Sequence, residues 1–360
     1  MAPPRPPPEL IDDAVAEILL RIPPDEPADL FRASLVCKPW LRIASDAAFL
    51  RRYRAFHRGA PLLGFFYCVG SRSSSPTFVP TTAASPLPRA GYDDNDDEEW
   101  CWYARDCRHG RVLLRKSAWT FVVWDPITGH REELPKLDIL YMSYSVSAVV
   151  LCAVAGCNHC DCHGGPFLVV CVGRDEEDAD IAIRACVYSS EAHAWSTPDS
   201  TQLNCGYTFD RKRAAVIGDE IYCTIDVGSK VLKYDFVKHC FSLINLPCVY
   251  RKDSILMQNN DGSLGLAGVR GSTLYLWSRM VNQEGITEWV QKRAIKLKKI
   301  LRKADDIGFA EGVGVFVMRT SVGAFTFELK SGQLRKISER RDYWTLLPFI
   351  SFFTPDHVCV

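Results

Sequence analysis

Phe121–Pro135 reads FVVWDPITGHREELP: a β-rich apolar run ending on Trp124, a turn built from Asp, Pro, Thr and Gly, and a second short run closing on Leu134-Pro135. β-branched and aromatic residues suit a pleated strand, and Asp-Pro followed by Thr-Gly is turn chemistry. The same shape returns in Arg184–Pro198 (RACVYSSEAHAWSTP), Lys230–Pro247 (KVLKYDFVKHCFSLINLP) and Ala324–Ser338 (AFTFELKSGQLRKIS). Ser272–Arg279 (STLYLWSR), running on to Gly285–Trp289, continues the series. Taking Trp124, Tyr188, Tyr234, Trp277 and Phe327 as equivalent, the intervals are 64, 46, 43 and 50 residues. A four-stranded propeller blade repeats at about 40–50 residues. The longest interval holds an insertion rich in Cys and His.

Outward from these units, Phe65-Phe66-Tyr67 begins an earlier blade, interrupted by the acidic and Ser/Pro-rich stretch from Ser71 to Glu99. Ile350-Ser351-Phe352-Phe353 is expected to pair near the start and close the ring, removing exposed edges. The count is about six blades, with five to seven open, and a β-sandwich is the rival architecture.

Before Pro61 the period is helical. Val15, Ile18, Leu19 and Ile22 fall at i, i+3, i+4 and i+7, with Asp12 or Asp13 as cap and Pro23-Pro24 as the stop. Pro27 opens a second helix with Leu30, Phe31, Ser34 and Leu35 on one stripe. A third starts at Pro39 with Trp40 and Ile43, and a fourth runs from Asp46 through Phe49, Leu50, Tyr53 and Phe56. Leu50, Tyr53 and Phe56 are expected to face inward while Arg51, Arg52 and Arg54 meet water. Four short helices carry more apolar surface than so small a unit can bury, which leaves a partner surface or a cap on the rest of the chain.

In order along the chain come Leu10-Ile11-Asp12-Asp13, Ile18-Leu19-Leu20-Arg21-Ile22-Pro23, Leu30, Arg32-Ala33, Leu35-Val36-Cys37-Lys38 and Trp40-Leu41. This series resembles the F-box, with Ile11 where many members have proline. The resemblance covers residues 9–57 and implies docking to the Skp-type adaptor of a cullin-based ubiquitin ligase. The positions it implicates are Leu10, Ile18, Leu19, Ile22, Pro23, Leu30, Leu35, Val36 and Trp40. For each of them core packing and partner contact both stay open. The repeat region is similar, more diffusely, to the propeller-like (kelch-like) domain that follows the F-box in many plant F-box proteins.

Composition limits the function classes. Of 360 residues, 47% are hydrophobic and 24% charged, with zero formal net charge, so no whole-chain field gathers nucleic acid or anionic membrane. No run of about 18 apolar residues or signal-like leader appears. Without them, fifteen irregularly spaced cysteines read as reduced thiols, placing the chain in the cytoplasm or nucleus. The runs Asp93–Glu99 and Lys292–Lys303 read as solvated loops or strand edges. No Gly-x-Ser-x-Gly elbow, phosphate-binding loop or His-Glu-x-x-His helix occurs. Cys152, Cys157, His159, Cys160, Cys162 and His163 form the one dense group of metal-type donors. A matching second Cys-x-x-Cys pair is missing and four ligands within seven residues would strain a tetrahedron, so the stretch reads as a solvated insertion and no metal or cofactor is expected.

The sequence thus describes an α+β multidomain chain. A disordered Pro-rich leader (1–8) precedes an all-α F-box unit (9–58) and an all-β propeller-like domain (61–360). The expected role is a non-catalytic substrate-recognition subunit of an SCF-type ubiquitin ligase, partnered by a Skp-type adaptor, a cullin and an unidentified target protein. An F-box scaffold acting outside a ligase and a propeller-fold enzyme are the alternatives.

Overall fold

The computed structural model describes residues 10–69, 76–82, 87, 102–116, 120–137, 141–159, 162, 164–175, 182–202, 208–210, 212–247, 254–298, 301, 304, 306–339 and 343–357. The Pro-rich leader and the Asp93–Glu99 run lie outside them.

Four helices come first: α1 (Asp12–Leu19), α2 (Pro27–Ser34), α3 (Lys38–Ala44) and α4 (Ala47–His57). Asp46 caps α4, accepting hydrogen bonds from the Ala48 and Phe49 amides at 2.9 Å each. At α1 the expected Asp cap is replaced: Ile11 stands at the N-cap with no side-chain bond. Asp12 and Asp13 sit inside the first turn, where a carboxylate complements the helix dipole. Asp12 also meets Arg42 of α3 at 2.7 Å. On α4 one inward and one outward expectation fail together. Phe56 is 50% exposed, whereas Arg54 is buried and reaches Asp356 at 3.9 Å. Packing against the C-terminal segment, rather than water, decides that face.

Six sheets follow. The first joins β1 (Leu62–Val69) and β2 (Thr77–Pro80) to the last strand of the chain, Tyr343–Ile350. Next come β3 (Trp102–Arg108), β4 (Arg111–Lys116), β5 (Thr120–Trp124) and β6 (Arg131–Glu133). The third sheet holds β7 (Tyr141–Cys152), β8 (Phe167–Asp175) and β9 (Ala182–Ser189), with its outer edge split between β10 (Ala194–Trp195) and β11 (Asp199–Gln202). The fourth is β12 (Ala215–Ile217), β13 (Glu220–Ile225), β14 (Lys230–Asp235) and β15 (Cys240–Asn245). The fifth is β16 (Ser254–Gln258), β17 (Leu264–Arg270), β18 (Thr273–Val281) and β19 (Thr287–Lys296). The sixth is β20 (Asp306–Ala310), β21 (Val315–Thr320), β22 (Gly323–Glu328) and β23 (Leu334–Ser338), and Tyr343–Ile350 is β24. Every ladder is antiparallel, and all join chain neighbours except β9 with β11 and β1 with β24, the latter closing a six-bladed ring.

The repeat read from the sequence is the outer hairpin of each blade. Trp124, Tyr188, Tyr234, Trp277 and Phe327 all lie on the third strand. Five residues beyond four of these aromatics the backbone turns left-handed, at Gly129 (φ 75°), His193 (49°), His239 (55°) and Gly332 (69°). Asp125 and Asp235 set such turns by accepting amides two and three residues on.

Blades stack face to face, so the middle strands are apolar on both sides. On β5, Val122 and Trp124 pack toward the first blade with Phe66 and Phe349, while Phe121 and Val123 pack toward the third with Val150, Val169 and Tyr188. Four further clusters fill the remaining junctions, the last joining Val317 and Ala324 to Phe65, Tyr67 and Leu346. Near the axis the inner strands crowd: a Cβ on Gly308 would stand 2.6 Å from the Leu346 carbonyl oxygen. The exposed outer edge of the fifth blade carries Lys292, Arg293 and Lys296, charges that discourage edge pairing.

Ring closure differs from expectation by a few residues. The ladder runs from Val69 paired with Tyr343 to Leu62 paired with Ile350, and ends there. Phe352 and Phe353 leave the sheet and turn under the helices. Phe353 meets Phe31 at 5.0 Å, and Phe352 joins the helical core 6.2 Å from Tyr53.

Candidate functional site

The helical unit sorts its apolar residues into two sets. Val15, Leu19, Leu20, Leu30, Ala44, Phe49, Leu50 and Tyr53 form a closed core with Phe352. Tyr53 fastens it by donating to the Ile22 carbonyl at 2.8 Å. Leu19 and Leu30 are therefore structural here, 0% and 1% exposed. Ile22 and Trp40 lie at the margin of that core, half-buried. Leu10, Ile18, Pro23, Leu35 and Val36 are left outside it, with Leu35 76% and Val36 65% exposed. Seven residues are nearly two helical turns, so exposed Ile11 and Ile18 share one side of the α1 segment, beside Leu10.

A second feature lies on the ring axis. A cleft of about 860 Å³ is bordered by the turns after the inner strands, including His109, Gly218, Gln258 and Gly312, and by Arg58, Gly59 and Ala60 leading out of α4. It opens on the same face as the helical unit. In its wall Asp106 of β3, with no exposed surface, accepts from Arg108 at 2.8 and 3.0 Å and from Arg213 at 2.8 Å. The Val150 amide on β7 donates to the same carboxylate at 3.1 Å. Glu311, after β20, completes the group at 3.4 Å from Arg213 and 3.8 Å from Arg108. Two cations and two anions thus balance in a buried setting. Burial lowers the Arg108 pKa; at Arg213 burial also lowers it, but Glu311 and Asp106 raise it by more. The sequence offered no distinct signal for this group: Trp102–Arg108 mixes apolar residues with Arg105, Asp106 and Arg108, and nothing in it points to Arg213 or Glu311.

The Cys/His-rich stretch is the β7–β8 loop on the rim of this cleft. Cys160 and His163 lie outside the described residues. Cys152, Cys157, His159 and Cys162 come together, with their ligand atoms within 4.8 Å of one another. The expectation of a solvated insertion fails at Cys162, which is buried. The donors also span more chain than expected, because Cys152 arrives from the end of β7. His109 lies over His159 with ring centroids 4.0 Å apart, its pKa brought down to about 3 chiefly by burial.

A family model described as "F-box domain" matches residues 8–52, and one described as "F-box protein AT5G49610-like, beta-propeller" matches residues 103–340. The chain belongs to the AT5G49610-like F-box propeller family. An F-box protein of Arabidopsis thaliana, At5g03970, is 24% identical over 295 residues, covering 77% of this chain and 67% of that protein. A Lactobacillus plantarum protein of known structure aligns with TM-score 0.40 and 12% identity over 79% of this chain and 98% of its own. F-box domains generally bind Skp-type adaptors, and F-box propeller proteins are generally non-catalytic adaptors. In this F-box chain the helices and the six-bladed ring are joined at both termini of the propeller, through Gly59-Ala60-Pro61 and through Phe352-Phe353.

Proposed function

We propose that this chain is the substrate-recognition subunit of an SCF-type ubiquitin ligase. The helical unit binds a Skp-type adaptor and, through it, a cullin; the propeller holds a target protein. The supporting observation is that a helical unit whose core is closed by Phe352 still leaves Leu10, Ile18, Pro23, Leu35 and Val36 outside it. Exposed aliphatic anchors beside a half-buried tryptophan suit a protein interface, with Ile22 and Trp40 at its margin and Leu19 and Leu30 keeping its shape. The chain contributes tethering rather than bond chemistry, raising the local concentration of target lysines near the charged ubiquitin carrier. Action in the cytoplasm or nucleus fits the ten described cysteines, all free thiols.

The test is affinity purification of the full chain under proteasome inhibition. Co-recovery of a Skp-type adaptor and a cullin, both lost in Leu35→Ala/Val36→Ala, is the expected result. Adaptor without cullin would assign the chain to a scaffold outside a ligase, and recovery of neither would overturn the proposal.

A further inference from the structure

We propose that Cys152, Cys157, His159 and Cys162 form a structural zinc site that pins the β7–β8 loop to the rim of the central cleft. Three sulfurs and one imidazole nitrogen lie within 4.8 Å of one another, and His159 Nδ1 is 3.7 Å from Cys162 Sγ. Around tetrahedral zinc, with bonds near 2.3 Å to sulfur and 2.0 Å to nitrogen, donors stand roughly 3.5–3.8 Å apart. Closing these four onto an ion therefore asks for shifts of about 1 Å or less. Thiolate and imidazole donors without a hard oxygen ligand favour zinc over magnesium or calcium, and four protein donors make the closed shell of a structural site.

The surroundings match that ligand set. The Val154 amide points at Cys152 Sγ at 3.4 Å and the His159 amide at Cys157 Sγ at 3.3 Å, the backbone donors that metal-bound thiolates need. Three thiolates with one divalent ion leave a net charge of about −1. Arg111, buried at the start of β4, lies against Cys162 and Cys152 and supplies the opposite charge. Its Nη2 also holds the loop, donating to the carbonyls of Cys162, at 2.7 Å, and Gly165. The ring of His109 packs against His159, tilted by 36° with centroids 4.0 Å apart. Residues Ala153 to His159 border the cleft, so the ion would set the shape of that wall.

The test uses the full chain purified without chelator, assayed for metal content and then exchanged with cobalt(II). About one zinc per chain is expected, with a cobalt spectrum showing tetrahedral d–d bands and sulfur-to-metal charge transfer. Cys157→Ser/Cys162→Ser should lose both signals, and His159→Ala should weaken metal retention, with His159→Cys restoring it. Cys37→Ser/Cys240→Ser, which removes the exposed thiols elsewhere, should keep both signals. Because the cobalt spectrum is read on the unaltered chain, a misfolded variant does not decide the matter. A metal-free chain that takes up no cobalt, a Cys152–Cys162 disulfide found by mass spectrometry, an octahedral spectrum, or loss of metal in Cys37→Ser/Cys240→Ser would each overturn the site.

Discussion

Arg213 Nε sits 2.8 Å from Asp106 Oδ1, a bond between two blades that are not chain neighbours in the ring. Asp106 also serves Arg108 and the Val150 amide, so one buried carboxylate ties the second blade to the third and to the segment entering the fourth. Removing it leaves two largely buried guanidinium groups with Glu311 as their shared carboxylate partner. Asp106→Ala is expected to cost about 3–5 kcal/mol, the range for breaking a buried pair from one side. Arg42→Ala, which breaks the exposed pair with Asp12, should cost about 1 kcal/mol or less. Chemical denaturation of both variants checks the contrast, and equal losses would refute the central role of Asp106.

Asp306 gives the ring a pH dependence. Burial raises its pKa to about 6, although it accepts the Ile307 and Thr345 amides at 3.0 Å each and feels Arg319 and Lys212. Unfolded, the carboxyl titrates near 4, so between roughly pH 4 and pH 6 the folded chain holds more protons than the unfolded one. Stability from this group is therefore present at low pH and falls as pH rises through that window. Asp306→Asn removes the slope. The melting temperature of the variant minus that of the wild type should climb from pH 4 to pH 6.5 and then level. A flat difference over that range would show that Asp306 is not the group responsible.

The blade repeat was legible because the outer hairpin is local: an aromatic on the third strand, an Asx-type turn and a left-handed residue five positions on all lie within some fifteen residues. The F-box helices were legible for the same reason, each stripe being a matter of i, i+3 and i+4. What sequence did not give is what the ring brings together. Asp106 finds Arg213 and Glu311 only after six blades close, and Cys152 meets Cys162 only once the β7–β8 hairpin forms. Nor can periodicity say that Leu19 is buried while neighbouring Ile18 is half-exposed, since both belong to the same apolar stripe.

Phe352 makes the helical unit depend on the end of the chain. It is 3% exposed within the helical core and packs near Tyr53, while the adjoining Arg54 reaches Asp356. Phe352→Ala should destabilise by about 3–5 kcal/mol, the usual cost of emptying an aromatic site in a core. In hydrogen exchange the loss should concentrate in α1–α4, with the blades keeping their protection. Residues 1–58 alone should show the same loss. Full protection of the helices in either case would mean that the N-terminal unit closes without the C-terminal segment.

Ile18 and Leu19 are adjacent on α1, yet one lies 49% exposed and the other is fully buried. Their substitutions should separate docking from folding. Leu19→Ala opens a cavity and is expected to cost about 2–5 kcal/mol, lowering the melting temperature and weakening adaptor binding only as far as folded protein is lost. Ile18→Ala removes a partly exposed side chain, so stability should change by about 0.5 kcal/mol or less. If Ile18 anchors the adaptor, the affinity of the folded variant should fall by about tenfold or more, the loss of an interface anchor worth more than about 1.4 kcal/mol. Paired melting curves and titrations against a purified Skp-type adaptor read both quantities. Undiminished affinity in Ile18→Ala, with matching results for Leu35→Ala and Val36→Ala, would move the docking surface off this face of the helices.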